Sequence, residues 1–130
     1  MNYIIMILIV IGLVLADYIT GVIKAYCTAT IESAKMRKGG LNKLCEIIVM
    51  AVAIGLDIGL GKLGAFYGHE ELSGIAGVVT AVSVFVYIVA MELISILENY
   101  SAINTEARWA RRFVKKLKVY TKDDESEGEA

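Results

Sequence analysis

From Tyr3 to Ala16 the chain carries no charged residue, and only Gly12 interrupts the run of large apolar side chains. Two further, largely apolar blocks follow, Leu44 to Phe66 and Gly74 to Leu97. A helix needs about 20 residues, at ~1.5 Å each, to cross about 30 Å of hydrocarbon. The pattern therefore predicts three spans, at about residues 3–24, 44–66 and 74–97, which together make residues 1–100 a transmembrane domain. A polar loop, Tyr26 to Asn42, joins the first two, and Gly39-Gly40 within it offers a chain reversal. A shorter loop, Tyr67 to Ser73, joins the second and third.

After Asn99 the periodicity changes. Trp109, Phe113, Leu117 and Tyr120 recur at helical spacing, while Arg108, Arg111, Arg112, Lys115 and Lys118 take the opposite side. Residues 101–122 thus read as a basic amphipathic helix, suited to an anionic membrane surface with its aromatic stripe inserted. Nucleic acid is the competing partner for such a patch, and tethering to a span argues against it. The charges from Asp123 to Ala130 are all acidic, and this segment is expected to be a disordered tail. The expected fold class is an all-α integral membrane protein with three transmembrane helices, a C-terminal cytosolic basic helix and self-association.

Composition supports spans over a soluble core. Of 130 residues, 57% are hydrophobic and none is proline, against about 45–50% apolar in an ordinary soluble domain. A net charge of -1 conceals segregation, because the basic residues gather in the first loop and after Arg108. With three spans those two regions share one side, so the positive-inside rule places both in the cytoplasm and the N-terminus outside. No Lys or Arg precedes the first apolar run and no small-x-small cleavage site follows it, so that span is expected to persist. Cys27 and Cys45 form no CxxC motif and read as small apolar fillers at span ends. His69, Glu70 and Glu71 are consecutive loop residues, which seldom converge on one metal ion. No cofactor, metal site or catalytic residue is expected, since no nucleophile, base and oxyanion donor can be assembled.

The candidate chemistry is intramembrane charge. At helical spacing Asp17, Thr20, Gly21 and Lys24 share one face. Asp57 shares a face with Met50, Gly61 and Gly64, and with Lys43 and Glu46 nearer the membrane edge. In the third span Gly74, Gly77, Ala81, Ile88, Glu92, Ser95 and Asn99 fall in one narrow sector. An acid at the centre of a span costs about 2.5–3.5 kcal/mol on insertion scales. Each acid is either protonated, paired locally (Asp17 with Thr20 or Lys24), or turned toward a protein-lined or wet interior. Asp17 and Glu92 should lie at similar depth, with Asp57 nearer the midplane. Ala51, Gly55 and Gly59 follow a small-xxx-small rule and, with Gly21, Gly74 and Gly77, are the candidate helix contacts. Three helices are too few to enclose a wide polar cavity. Further copies would supply the missing walls, meeting at Gly55 and Gly59 and at the Glu92 face.

Three motifs together resemble the phage-type holins of Gram-positive phages and prophages, a group that includes holin-like proteins tied to toxin release. They are Asp17-Tyr18-x-Thr20-Gly21-x-x-Lys24-Ala25 closing the first span, Asp57 inside the second, and Glu92-Leu93-x-Ser95-x-x-Glu98-Asn99 closing the third. The resemblance covers roughly Ile4 to Tyr100. It implies a bacterial inner-membrane protein that oligomerises into a lesion and releases a murein hydrolase or a toxin at a set time. Asp17, Thr20, Lys24, Asp57, Glu92, Ser95 and Asn99 are then the gating candidates. Members often continue after the Glu-Asn pair with a Gly and a Pro-containing turn. Tyr100 to Asn104 has neither, so that join is expected to be more helical. Two other readings stay open: a small ion-conducting or proton-coupled carrier or channel, and a regulator that antagonises a holin.

Overall fold

The computed structural model describes residues 2–128, and their side chains over 2–120. Among these residues the secondary structure is helical throughout: α1 (Tyr3–Cys27), α2 (Ser33–Tyr67), α3 (Glu70–Ile103) and α4 (Arg108–Gly128). The first three are each long and apolar enough to cross a membrane. α2 and α3, with 35 and 34 residues, extend to about 50 Å at ~1.5 Å per residue and so exceed the hydrocarbon thickness. α3 packs against each of the other three helices.

The helix ends differ from the expected loops for local reasons. α1 stops where Ala29 takes a left-handed conformation (φ 53°). The Ala29 N–H donates to the Tyr26 carbonyl at 3.3 Å, and the Thr30 N–H to the Ala25 carbonyl at 2.9 Å. This paired return satisfies the last carbonyls of the helix, a role glycine usually fills. The chain therefore reverses at Thr28 to Glu32, and Gly39-Gly40 lies inside α2. Glycine costs a helix interior about 0.5–1 kcal/mol. Gly40 packs beside α1, where a Cβ would make an ordinary contact with the Tyr18 ring at 3.8 Å. The second turn is also tighter than expected. Gly68, at φ 75°, ends α2, and α3 begins at Glu70. Gly64 makes this close return possible, because a Cβ there would fall 1.6 Å from the Ser73 hydroxyl.

The core is a single apolar layer. Met6, Val10 and Val14 of α1 meet Met50, Ala53 and Ile54 of α2 and Ile88 of α3. Most other large apolar side chains of these helices point outward, among them Ile4, Leu8, Leu15, Val52, Leu56, Val79 and Val86. In water such a surface would be ruinous, whereas against lipid it is the ordinary exterior. Cys27 and Cys45 are both exposed and unbridged.

Past Asn99, α3 continues to Ile103, and a short break precedes α4. Ala107, Ala110 and Val114 are buried where α4 meets α3. Lys118 pairs with Glu98, and the Trp109 ring lies 6.1 Å from that of Tyr100. The helix runs to Gly128, past the boundary expected at residue 122. Residues 129–130, which belong to the expected tail, lie outside the described residues.

Candidate functional site

Two of the charged candidates, Asp17 and Glu92, converge on Lys43, which the periodicity of α2 places nearer the membrane edge. The Lys43 ammonium of α2 lies 2.5 Å from the Asp17 carboxylate of α1 and also pairs with Glu92 of α3. Glu46, one turn along α2, reaches the same ammonium at 3.5 Å. Asp17 and Glu92 are almost wholly buried, at 5% and 1% exposure. One lysine thus ties three helices together. A signal for it existed, because Lys43 lies on the same face of α2 as Met50 and Asp57.

Asn99 completes the cluster from α3. Its side-chain amide donates to the Asp17 carboxylate at 2.9 Å, to the Asp17 carbonyl at 3.3 Å and to the Thr20 hydroxyl at 3.0 Å. Thr20 in turn donates to the Asp17 carbonyl at 3.0 Å. Of the two local partners considered for Asp17, neither Thr20 nor Lys24 supplies the bond to its carboxylate. Both lie on the acid's own helix, whereas Lys43 and Asn99 approach it from neighbours. Gly21 faces the same amide, and a Cβ there would make an ordinary contact with it at 3.7 Å.

The cluster is acid-rich. One carboxylate oxygen each of Glu46 and Glu92 is buried with no hydrogen-bond partner among the described residues. Buried polar networks of this partly satisfied kind hold firmly while every donor stays in place, and lose heavily when one leaves. Asn99→Ala is accordingly expected to lower stability by about 1–3 kcal/mol. Asn99→Asp should be worse, because it sets an acceptor against the Asp17 carboxylate. Thermal unfolding of the purified protein in micelles measures both.

Asp57 forms a separate site. Its carboxylate accepts from the Tyr3 hydroxyl at 2.7 Å, and its backbone lies directly against Gly77. Along α2 it stands about 21 Å from Lys43 at ~1.5 Å per residue. The apolar layer of Val10, Met50 and Ile54 separates the two. Tyr3 begins α1, so Asp57 lies level with an end of that helix. It is no nearer the middle of the bundle than Asp17, contrary to expectation. The two acids flank the apolar layer from opposite sides.

The remaining candidates divide. Gly77 is a true close contact, whereas a Cβ on Gly55, Gly59 or Gly74 would meet nothing within 4 Å. Ala51 and Gly55 are exposed and Gly59 is half-buried, and the two glycines of this stripe border open space. The Glu92 face, expected to meet another copy, is turned inward onto Lys43. Ser95 and Lys24 line a cavity beside the cluster. On α4, Trp109 and Phe113 are exposed, as are Arg108, Arg111, Arg112 and Lys115. The helix therefore has three sectors: a small apolar one against α3, an aromatic one and a basic one facing outward.

A sequence model described as the bacteriophage holin family matches residues 1–122. No curated protein and no solved structure matches the chain.

Proposed function

The chain belongs to the bacteriophage holin family, and from that premise we propose that it assembles in the bacterial inner membrane into a lesion. The lesion releases a murein hydrolase, or a toxin, from the cytoplasm and so times lysis. The orientation that accompanies this reading has the N-terminus outside, with the basic α4 in the cytoplasm and its Trp109 and Phe113 sector against anionic lipid. The observation carrying the proposal is the Lys43 cluster. Three helices with lipid-compatible exteriors hide on their inner faces the polar groups that a water-filled lesion needs on its walls.

In a single copy the Val10, Met50 and Ile54 layer blocks any aqueous path between the two polar sites. Opening therefore requires the inner faces to separate and line water jointly with those of other copies. Such an element has two packings, and breaking the cluster biases it toward the open one. The outward stripe of Ala51, Gly55 and Gly59 supports a close approach between copies, since small residues let backbones meet where lipid supplies no hydrophobic drive.

Induced expression in a bacterium tests the reading. The expected result is abrupt loss of membrane potential followed by escape of a co-expressed cytosolic protein. Growth arrest without protein release would overturn it in favour of a carrier or small channel. Harmless expression that delays lysis by another holin would overturn it in favour of an antagonist. Asp17→Asn is expected to advance the onset of permeabilisation, because it weakens the hold on Lys43. Asp57→Asn should shift it less, because an amide carbonyl still accepts from Tyr3. Removing a charge lowers the cost of insertion, so neither shift traces to failed integration. Wild-type onset in both variants, with matched membrane levels on immunoblots, would sink the claim.

A further inference from the structure

Beside the Lys43 cluster, between the end of α1 and the start of α2, lies a cavity of about 360 Å³. Its size falls at the lower end of ligand pockets, about 300–1,000 Å³. Gly21 and Gly39 both line the cavity, and a Cβ on Gly39 would meet nothing within 4 Å. Its inner wall is Asp17, Lys43 and Asn99, and its outer part carries Lys24 and Lys35.

The inner wall is internally satisfied and the outer part is not. Lys43 is held by Asp17 and Glu92. Lys24 and Lys35 make no ion pair, and Ser95, also in the lining, makes no side-chain hydrogen bond, among the described residues. Glu32 is the single acid at the rim, set against two free ammonium groups, so the mouth is net positive. Tyr18 and Met36 add apolar surface to the same cavity. Unpaired lysines, a hydroxyl donor and an apolar wall match a phosphodiester attached to a hydrocarbon.

The position agrees. Lys24 is the basic residue in the last turn of the first helix, after its long apolar run, near the level at which a bilayer presents its headgroup phosphates. A lysine stem can lie along apolar surface there while its ammonium reaches the phosphate layer.

We propose that this cavity binds the headgroup of an anionic phospholipid, with Lys24 and Lys35 as the phosphate ligands. The bound group would lie against the open side of the Lys43 cluster, so occupancy is coupled to the contacts between α1 and α2. This is a defined site, distinct from the diffuse attraction of the basic sector of α4. It rests on the bilayer location and not on lesion formation, and binding is read without any permeabilisation.

The full-length protein in detergent is titrated with mixed micelles containing phosphatidylglycerol or phosphatidylcholine, and bound lipid is counted by native mass spectrometry. The expected result is retention of one phosphatidylglycerol in preference to phosphatidylcholine. The double variant Lys24→Gln/Lys35→Gln should lower retention about tenfold or more, the size expected for removing two basic groups from an anionic headgroup. Gly39→Leu, which fills the cavity and leaves the charge unchanged, should do the same. Lys115→Gln/Lys116→Gln, an equal loss of charge on α4, should not. Unaltered retention in Gly39→Leu, or equal loss in the α4 variant, overturns the site. Inorganic phosphate that stabilises the protein as well as the lipid does would assign the cavity to a soluble anion and overturn the lipid. Helix content by circular dichroism confirms that each variant is folded.

Discussion

Lys43→Met is expected to be among the most damaging single substitutions in this protein. Methionine matches the length of the lysine stem and keeps its packing against α1 and α3. It removes the one cation shared by Asp17 and Glu92, which lie at 5% and 1% exposure, and by Glu46 at 3.5 Å. Taking one partner from a buried ion pair typically costs about 3–5 kcal/mol, because the remaining charge stays buried and uncompensated. Thermal or denaturant unfolding in micelles should show a loss of that order. Induced cells should show an earlier onset of permeabilisation. Neutralising the rest of the cluster should reverse much of the loss, so Lys43→Met/Asp17→Asn/Glu92→Gln is expected to be more stable than Lys43→Met. Unchanged stability in the single variant would mean that Lys43 does not join the three helices.

Gly77→Val is expected to rival it by a different mechanism. A Cβ at this position would lie 2.6 Å from the Asp57 carboxylate, 2.8 Å from its Cα and 3.1 Å from its carbonyl oxygen. The carboxylate can move aside and the backbone cannot, so α2 and α3 must part. Overpacking usually costs about 1–3 kcal/mol, and a clash with backbone belongs at the top of that range or beyond it. The same separation pulls Asp57 from Tyr3. Gly55→Ala and Gly59→Ala provide the contrast, since a Cβ there meets nothing within 4 Å. Their unfolding midpoints should match the wild type or rise slightly through helix propensity, while cross-linking between copies falls. Equal destabilisation by Gly77→Val and Gly55→Ala would remove the distinction between the inner and outer glycines.

These contrasts mark how far the chain was legible. In the third span the sector containing Gly77, Ala81, Ile88, Glu92 and Asn99 is the buried face of α3. The Asp57 face of α2 likewise contains the buried Met50 and Gly64. Helical periodicity is a property of one helix alone, so each inward face could be read without its neighbours. The partners could not. Sequence proximity offers Asp17 only Thr20 and Lys24 as partners, whereas its actual cation, Lys43, stands on another helix. Glycine permits a turn at Gly39-Gly40, yet both residues lie inside α2. The chain has already reversed upstream, where Ala29 at φ 53° closes α1.

The order of apolar blocks, their lengths and the periodicity of their polar residues are local quantities. By themselves they determined three spanning helices, a basic amphipathic helix and the faces that carry Asp17, Asp57 and Glu92. The axial register and rotation of one helix against another are not local, because they minimise contacts summed over all three. Those contacts alone decided that Lys43 reaches both Asp17 and Glu92, and that Asp57 meets Tyr3 at the other side of the apolar layer. They also decided that Gly77 is filled by a neighbour while Gly55 and Gly59 face outward, free for a further copy.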